Sequence, residues 1–336
     1  MNVFGLTRAL VDIESITENE SDVGVFLYDH IGKIAAQTGG CVERMPVEGN
    51  RFNVLACWGT PAVTLSTHMD TVPPFFPSSE DAEFIRGRGS CDAKGIIASM
   101  TAAAEKLLGD GVKNFGLLFV VGEERNSAGA VAAARMPRGS RYLVNGEPTE
   151  NKLAVASKGT LRLEVVAHGR MAHSAYPELG ESAIEKLLDV LEAMRRIPLP
   201  EDPLLGRCSV NIGTITGGRA PNVIPDLAKA EILVRLVGDP AAVRDAFTAA
   251  AGGRVELNEV LLIPAMRFVN VDGLPTTVVS FTTDIPMFEG SWGEPLLLGP
   301  GSIHVAHTSE ERIAKKDLAD AVEIYATVVK KLLAAA

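Results

Sequence analysis

The sequence predicts an α/β fold with a second, smaller α+β domain inserted into the first. Up to about residue 150, apolar strand-like runs alternate with stretches of helical periodicity, and polar residues gather where the strands end. This pattern is typical of a sheet flanked by helices with its site at the carboxyl edge. Between 157 and 263 the order changes to β-α-β-β-α-β, the ferredoxin-like arrangement. Because 336 residues are also long for one core, we predict a discontinuous larger domain, 1–156 and 264–336, around an inserted domain, 157–263.

The composition describes a globular protein and argues against two classes of partner. Hydrophobic residues make up 46% of the chain, and 32 Lys and Arg against 42 Asp and Glu give a formal net charge of −10. This acidic balance disfavours nucleic acid and anionic membrane surfaces. No basic N-terminal region precedes an apolar run and no stretch is long enough to span a bilayer, so we expect a cytoplasmic protein. The four cysteines lack Cys-x-x-Cys spacing, which favours neither a disulfide framework nor a cysteine zinc site.

Helices open the chain and strands follow. Helical periodicity predicts a helix over 2–14, and Thr17-Glu18-Asn19-Glu20 fits a capping box for a second helix that ends at Gly39. The β-branched run 62–65 predicts a buried strand that delivers His68 and Asp70 at its end. The remaining elements predicted for this half are strands at 41–47, 52–58, 115–121 and 142–145, a helix at 93–108 and a short Ala-rich helix before the last strand.

The inserted domain and the C-terminus have equally regular patterns. Thr160–His168 alternates as a strand, and the chain closes on an amphipathic helix that carries Leu318 and Tyr325 on one face. The other elements predicted here are a helix around 184–191, strands at 208–216, 226–237 and 254–260, and a helix at 240–251.

Two imidazoles and three carboxylates stand beside predicted strand ends or loops: His68, Asp92, Glu124, Glu147 and His307. Zinc and similar cations take this mixture of nitrogen and oxygen ligands, and the absence of thiolates favours a catalytic site. Two metals that share one carboxylate would use all five ligands and would clamp a water for hydrolysis. Glu123 offers a further carboxylate facing that water, because neighbouring residues at a strand end face opposite ways. The alternative is that Asp92 is an ordinary N-cap and His68 a buried core histidine.

Seven segments, in order between residues 65 and 311, resemble the motifs of the dinuclear zinc deacylase and exopeptidase family of acetylornithine deacetylase, succinyl-diaminopimelate desuccinylase and carboxypeptidase G. The segments are STHMDTVP, GRGSCDAKG, GEERNSAG, NGEPT, GRMAHSAYPELGESA, GGRAPNVIP and GPGSIHVAHTSEE. The resemblance implies a zinc-peptidase-like catalytic domain, with a mixed sheet flanked by helices, and an inserted lid and dimerisation domain. Two stretches depart from the family: the segment between Asp70 and Gly87 is short, and Phe281–Asp284 matches the substrate-side loop only loosely.

The same resemblance implies two zinc ions, for which cobalt can substitute. His68, Asp92 and Glu147 would bind one ion, and His307, Asp92 and Glu124 would bind the other, with Asp92 bridging.

Further roles are implied around these ligands. Glu123 would be the general base and acid, and Asp70 would accept the second N–H of the metal-bound His68. The alternative is that Asp70 is a capping residue at the loop. The family also tends to have a cis peptide after the bridging aspartate, here Asp92–Ala93.

Three residues of the inserted domain, His173, Asn222 and Arg235, match family positions that contact substrate. Arg235 would hold a carboxylate, a task that suits its planar fork. His173 would reach the neighbouring active site across a homodimer and polarise the scissile carbonyl. The alternatives are a buried polar residue that caps a helix for His173, and a surface strand residue in a salt bridge for Arg235.

The function that the resemblance implies is a zinc amidohydrolase that removes the acyl group from an N-acyl amino acid by metal-activated water, with acetylornithine or acetyl-lysine as the best single candidates. A di- or tripeptidase or carboxypeptidase that uses the same site on a short peptide is the nearest alternative. A catalytically silent binding protein is disfavoured because all five ligand positions and Glu123 are present. A Rossmann-type dehydrogenase is disfavoured because no glycine-rich fingerprint follows the first strand.

Overall fold

A computed structural model describes residues 1–335 of the chain. The α-helices are α1 (Val3–Val11), α2 (Ser21–Thr38), α3 (Lys94–Gly109), α4 (Ala128–Ala134), α5 (Ala183–Arg195), α6 (Pro240–Ala251) and α7 (Lys315–Ala335). Two short 3-10 helices span Pro177–Leu179 and Ile285–Phe288. None of the helices in residues 1–335 has the length and apolar character needed to cross a bilayer.

The strands vary from two to ten residues in length. They are β1 (Cys41–Glu48), β2 (Arg51–Trp58), β3 (Val63–His68), β4 (Ser79–Glu80), β5 (Phe84–Arg86), β6 (Phe115–Val120), β7 (Tyr142–Asn145), β8 (Leu153–Ser157), β9 (Gly159–His168), β10 (Ala172–His173), β11 (Glu201–Asp202), β12 (Gly206–Arg207), β13 (Ser209–Gly217), β14 (Val223–Ile224), β15 (Leu227–Leu236), β16 (Glu256–Ile263), β17 (Met266–Arg267), β18 (Thr276–Val279), β19 (Glu294–Leu297) and β20 (Arg312–Ala314).

The chain divides into two compact units. Among the described residues, the larger unit comprises Met1–Val155, Phe268–Thr277 and 283–335, and the smaller comprises Ala156–Arg267 and Val278–Thr282. The larger unit is therefore discontinuous in sequence. That the smaller unit acts as a lid or dimerisation domain stays a prediction.

The larger unit is built on a mixed sheet whose central strands are parallel. Its strands follow the order β1-β2-β6-β3-β7-β19-β8. β3 pairs in parallel with β6 and β7, and β19 pairs in parallel with β7. The carboxyl ends of these four strands therefore meet at one edge of the sheet. His68 is the last residue of β3, and the loops that follow β6, β7 and β19 lead to Glu123, Glu147 and His307.

Helices cover both faces of this sheet. Successive residues of β6 point to opposite faces, so Leu117 and Phe119 join a core formed with α1, α2, α3 and α7. Leu118 joins a smaller core on the other face with residues of α4 and with Trp292. The predicted α/β class, a mixed sheet flanked by helices, is confirmed.

The start of α2 differs from the prediction. The capping box at Thr17–Glu20 is wrong, because Glu20 is the N-cap residue and its side chain makes no capping hydrogen bond. The Thr17 hydroxyl instead donates to Asp70 Oδ2 at 2.8 Å, and the Glu20 carboxylate accepts two hydrogen bonds from Arg51 at 2.6 and 2.8 Å. Tertiary contacts thus use the side chains that local capping would need. The helix ends at Gly39, as predicted, with a left-handed φ of 73°.

The smaller unit contains a four-stranded antiparallel sheet in the order β13-β15-β9-β16. Together with α5 and α6, these strands follow the chain order β-α-β-β-α-β of the ferredoxin-like motif. Alternate residues of β9 pack with both helices in one core: Leu161, Leu163, Val165 and Ala167. The intervening residues Arg162 and Glu164 lie on the opposite face.

Candidate metal centre

His68 ends β3 and lies between two aspartates. Its Nε2 is 2.9 Å from Asp92 Oδ1, and its Nδ1 is 3.0 Å from the backbone carbonyl oxygen of Asp70 and 3.5 Å from Asp70 Oδ1. Burial lowers the pKa of His68, but hydrogen bonds to Asp70 and Asp92 outweigh this effect and hold the pKa well above its usual value. The contacts of Nδ1 leave Nε2 as the nitrogen that faces Asp92.

The Asp92 carboxylate has an imidazole at each oxygen. Oδ1 contacts His68, and Oδ2 is 3.4 Å from His307 Nε2. Burial raises the pKa of Asp92, but hydrogen bonds with His307 and His68 outweigh this effect and hold the pKa well below its usual value, so that the carboxylate stays ionised. The N-cap residue of α3 is Ala93, which makes the alternative of Asp92 as an ordinary N-cap wrong. The Asp92–Ala93 peptide bond is cis, as the resemblance implied.

His307 and Glu124 complete this group of contacts. His307 Nε2 is 2.9 Å from Glu124 Oε1, and hydrogen bonds to Asp92 and Glu124 raise the pKa of His307 to about 10. His307 adopts a left-handed φ of 63°, a conformation that costs energy for a residue other than glycine and is common at functional sites. Ligand atoms of His68, Asp92 and Glu124 all lie within 4.8 Å of one another. These three side chains form a cluster that could hold a metal ion.

Asp70 fixes the loop that carries the two neighbouring glutamates. Its Oδ1 accepts the backbone N–H of Glu123 at 3.1 Å, and its Oδ2 accepts that of Glu124 at 3.2 Å and the Thr17 hydroxyl at 2.8 Å. Burial raises the pKa of Asp70, but hydrogen bonds from His68, Thr17 and Glu124 bring it below its usual value. One carboxylate therefore makes both contacts that the sequence presented as alternatives, to His68 and to the loop.

Further carboxylates near these groups are buried without a neutralising partner. Glu147 is 4% exposed, and its Oε1 has no hydrogen-bond partner within the described chain. Burial and then the charge of Asp92 raise the pKa of Glu147 well above its usual value. Burial and then the charge of Glu147 do the same to the pKa of Glu123. Burial also raises the pKa of Asp284 to about 7. Several acids thus repel one another in a site where most of the carboxylates are buried or partly buried.

These observations fit a metal site. Isolated buried charges are costly, and a divalent cation would neutralise the repelling carboxylates and supply a partner for the orphaned oxygen of Glu147. The mixture of imidazole nitrogen and carboxylate oxygen suits zinc and similar cations. The centrally placed Asp92 has both oxygens directed at separate histidines, so each oxygen faces a different group of donors.

Sequence reasoning gave no role to a buried ion pair behind Asp92. Glu311 Oε1 accepts the backbone N–H groups of Cys91 and Asp92 at 3.1 and 3.2 Å, and its Oε2 accepts from Arg88 Nη1 at 2.5 Å. The side chains of Arg88 and Glu311 are 2% and 1% exposed. Both residues belong to motif segments quoted above, and their opposite charges were the available signal. Asp284, also without an assigned role, lies in the loosely matching substrate-side segment.

The structure places the three predicted substrate-binding residues in the smaller unit. His173 is exposed and accepts a hydrogen bond at Nδ1 from the backbone N–H of Ala175, so it is not a buried helix cap. It lies opposite Val223 in the β10–β14 pair, beside the exposed Asn222. Arg235 is partly buried and donates to the Thr160 hydroxyl at 2.9 Å. This contact replaces the salt bridge of the alternative interpretation.

Comparisons with known proteins agree on one family. Residues 64–331 match the family model described as peptidase family M20/M25/M40. A peptidase M20 domain-containing protein of Schizosaccharomyces pombe is 37% identical over 98% of this chain and 84% of its own length. A probable carboxypeptidase of Aspergillus flavus is 37% identical over 97% of this chain and 86% of its own length. The crystal structure of an M20 family metallo-carboxypeptidase from Sulfolobus solfataricus shares the fold, with a TM-score of 0.78, 15% identity and 99% coverage of both chains.

Proposed function

The chain belongs to peptidase family M20/M25/M40 and is a metal-dependent hydrolase of amide bonds, and from this membership we propose that it removes the acyl group from N-acyl amino acids with the help of two zinc ions. The family resemblance drawn from the motifs is thereby confirmed, while the substrate is our proposal. The observation that supports a two-metal site most directly is the position of Asp92, which has His68 at one carboxylate oxygen and His307 at the other.

We assign the metal ligands in two groups. His68, Asp92 and Glu147 would hold one zinc ion, and His307, Asp92 and Glu124 would hold the other, with cobalt able to replace zinc. When bound, such ions lower the pKa of a water molecule and polarise the amide carbonyl. The unpartnered Oε1 of Glu147 and the contact between His307 and Glu124 support this division.

Glu123 moves the proton. Its carboxylate takes a proton from the attacking water and then delivers it to the nitrogen of the leaving amine, as a general base and then a general acid. The hydrogen bond from the Glu123 backbone to Asp70 orients the residue. The same Asp70 contacts His68, so that one carboxylate positions both a metal ligand and the proton carrier.

Residues of the smaller unit bind the substrate in this proposal. The Arg235 guanidinium holds the free carboxylate of the amino acid in a two-point contact, and Asn222 contacts the same substrate. His173 donates a hydrogen bond to the carbonyl oxygen as negative charge develops there, and it does so from the partner subunit of a homodimer. His173 and Asn222 are exposed, which supports their roles. The described contacts of Arg235 include the Thr160 hydroxyl and no carboxylate, which supports its role in holding the carboxylate of the substrate.

A carboxypeptidase is the second candidate, favoured by the probable carboxypeptidase of Aspergillus flavus. Both activities cleave an amide whose amine side is an amino acid with a free carboxylate. They differ in the acyl side, which is a small group such as acetyl in the first and a peptide in the second. The metal ligands and Glu123 have the same roles in both.

A substrate panel tests the proposal. The zinc-loaded enzyme is assayed with N-acetylornithine, N-acetyl-lysine and other N-acetyl amino acids, and with di- and tripeptides, each with a free and with an amidated C-terminus. We expect the highest kcat/KM with an N-acetyl amino acid and a large loss on amidation. Efficient turnover of peptides alone would replace the first candidate by the second. No hydrolysis of any free-carboxylate substrate by zinc-loaded enzyme would contradict both.

A further inference from the structure

Two cysteines face each other at the edge of the large sheet. In the antiparallel pair β1–β2, Cys41 lies directly opposite Cys57. Directly opposed residues of such a pair point to the same face of the sheet. β1 is the end strand of the described sheet, and neither cysteine is part of a disulfide.

The backbone already has the spacing that a disulfide requires. Opposed Cα atoms of antiparallel strands lie about 4.5 or 5.5 Å apart, and both values fall in the range of about 4.4–6.8 Å found for disulfides. Both side chains line the same pocket. Burial, and then the charge of a Cys41 thiolate, raise the pKa of Cys57 to about 12. The two sulfur atoms can therefore approach each other with the strand register unchanged, although the distance between the two Cβ atoms must shorten.

The pair combines an accessible thiol with a protected one. Cys41 is exposed, whereas Cys57 is 9% exposed. Both line a cavity of about 280 Å³ together with Glu43, Leu55 and Arg138. A small reagent thus has room beside Cys41, while Cys57 is reached from the neighbouring sulfur.

We propose that Cys41 and Cys57 form a redox-sensitive dithiol that a low-molecular-weight disulfide oxidises. The Cys41 thiolate attacks one sulfur of the reagent, forms a mixed disulfide and releases one small thiol. The Cys57 sulfur then attacks Cys41, displaces the second small thiol and closes the Cys41–Cys57 bond. The two protein thiols are oxidised, the reagent is reduced to two thiols, and the two protons from the cysteines end on those products. This modification site shares no residue with the metal centre.

The bond would be labile rather than structural. Opposed Cβ atoms in antiparallel strands lie about 4.5–5.5 Å apart, whereas a relaxed disulfide prefers about 3.5–4.5 Å. A bond formed at this position is therefore strained, and strained or exposed disulfides are the easily reduced ones. Small thiols would reopen it.

The experiment uses the folded, zinc-loaded protein with oxidised glutathione as the probe. Free thiols are counted with a chromogenic reagent, and peptides are identified by mass spectrometry without reduction. We expect two thiols to be lost together, a peptide that contains Cys41 linked to Cys57, and full recovery on addition of reduced glutathione. Cys57→Ser should instead accumulate glutathione on Cys41, because the thiol that resolves the adduct is missing. Cys208→Ser, at a buried cysteine outside the pair, should behave like the unmodified chain.

Several results would overturn the proposal. One is a stable glutathione adduct on Cys41 in the unmodified chain with no linked peptide. Another is a disulfide between two chains, or equal reaction at Cys91 and Cys208. If Cys57→Ser does not fold, the proposal is tested on the unmodified chain alone, by the rate at which the linked peptide forms. The linked peptide must then form faster in the folded protein than in urea, and equal rates would show that the fold does not bring the pair together.

Discussion

The backbone N–H of Asp92 donates a hydrogen bond to the carboxylate of Glu311, and the two atoms lie 3.2 Å apart. The other oxygen of Glu311 accepts from Arg88, and both side chains of this ion pair are almost fully buried. Asp92 itself contacts both His68 and His307. The orientation of the central carboxylate of the site is thus set by a buried ion pair behind it.

Glu311→Gln should destabilise the protein strongly. The amide oxygen of glutamine can still accept the N–H groups of Cys91 and Asp92, but Arg88 loses its anionic partner. Breaking a buried ion pair from one side costs about 3–5 kcal/mol, and we expect this loss in the free energy of unfolding measured with urea. The exposed pair of Lys106 and Glu323 is the matched control, with atoms 3.2 Å apart.

Glu323→Gln should change stability by less than about 1 kcal/mol, because exposed ion pairs contribute little. Adding Arg88→Met to Glu311→Gln should recover part of the loss, since the unpaired charge is then gone. Equal small effects of Glu311→Gln and Glu323→Gln would show that the buried pair does not support the site.

Asp70→Asn should weaken metal binding and slow turnover. The aspartate accepts hydrogen bonds from the Glu123 and Glu124 backbone and contacts His68, and asparagine has only one oxygen to replace two. Loss of such an outer contact typically costs about 10–100-fold in metal affinity or activity. Zinc affinity is measured by competition with a chelator. Thr17→Val removes one hydrogen bond to the same carboxylate and should have a much smaller effect. Equal losses in both variants would contradict this role of Asp70.

The positions of the site residues followed from strand order, and the sequence could therefore indicate them. Runs such as Phe115–Val120 identify buried strands, and parallel strands bring their carboxyl ends to one edge, where Glu123 and Glu147 follow. The predicted strand into His68 is observed at Val63–His68. Local hydrophobic periodicity was sufficient to predict these strands because each of them is regular.

Features that depend on pairing between distant segments escaped prediction. Arg88 and Glu311 are 223 residues apart in sequence, and no local pattern relates them. The register that opposes Cys41 to Cys57 follows from how β1 pairs with β2, which cysteine spacing cannot show. The capping box at Thr17 failed for the same reason, because Asp70 competes for its hydroxyl.

Removal of metal should abolish activity. In the proposed function, the buried carboxylates and two histidines would hold two zinc-type ions, which would activate the attacking water. After dialysis against a chelator, metal content is measured by atomic emission and hydrolysis is assayed in parallel. We expect both to fall together, and zinc or cobalt to restore activity. Full activity in protein shown to be free of metal would exclude the proposed mechanism.

Glu123→Gln and Glu124→Gln should separate proton transfer from metal binding. Glutamine at 123 cannot accept the proton of the water, so turnover should fall by about 10²–10⁴-fold while metal content is unchanged. Glutamine at 124 removes the carboxylate that contacts His307, so metal affinity should fall first, and excess zinc should restore part of the activity. Loss of metal from Glu123→Gln would make Glu123 a ligand instead.

His173 should act on the metal centre of a partner subunit in an obligate homodimer. It belongs to a different unit of the chain from the metal ligands and is exposed, and a two-fold dimer would place each His173 at the other chain's site. His173→Ala should retain zinc and lose turnover. When it is mixed with inactive Glu123→Gln and the subunits exchange, each mixed dimer gains one site with both groups intact. Random exchange then restores roughly a quarter of the sites.

The matched control mixes Glu123→Gln with the double variant that carries both substitutions, and it should stay inactive. If the first mixture also stays inactive after exchange is shown with differently tagged chains, His173 does not act across the dimer.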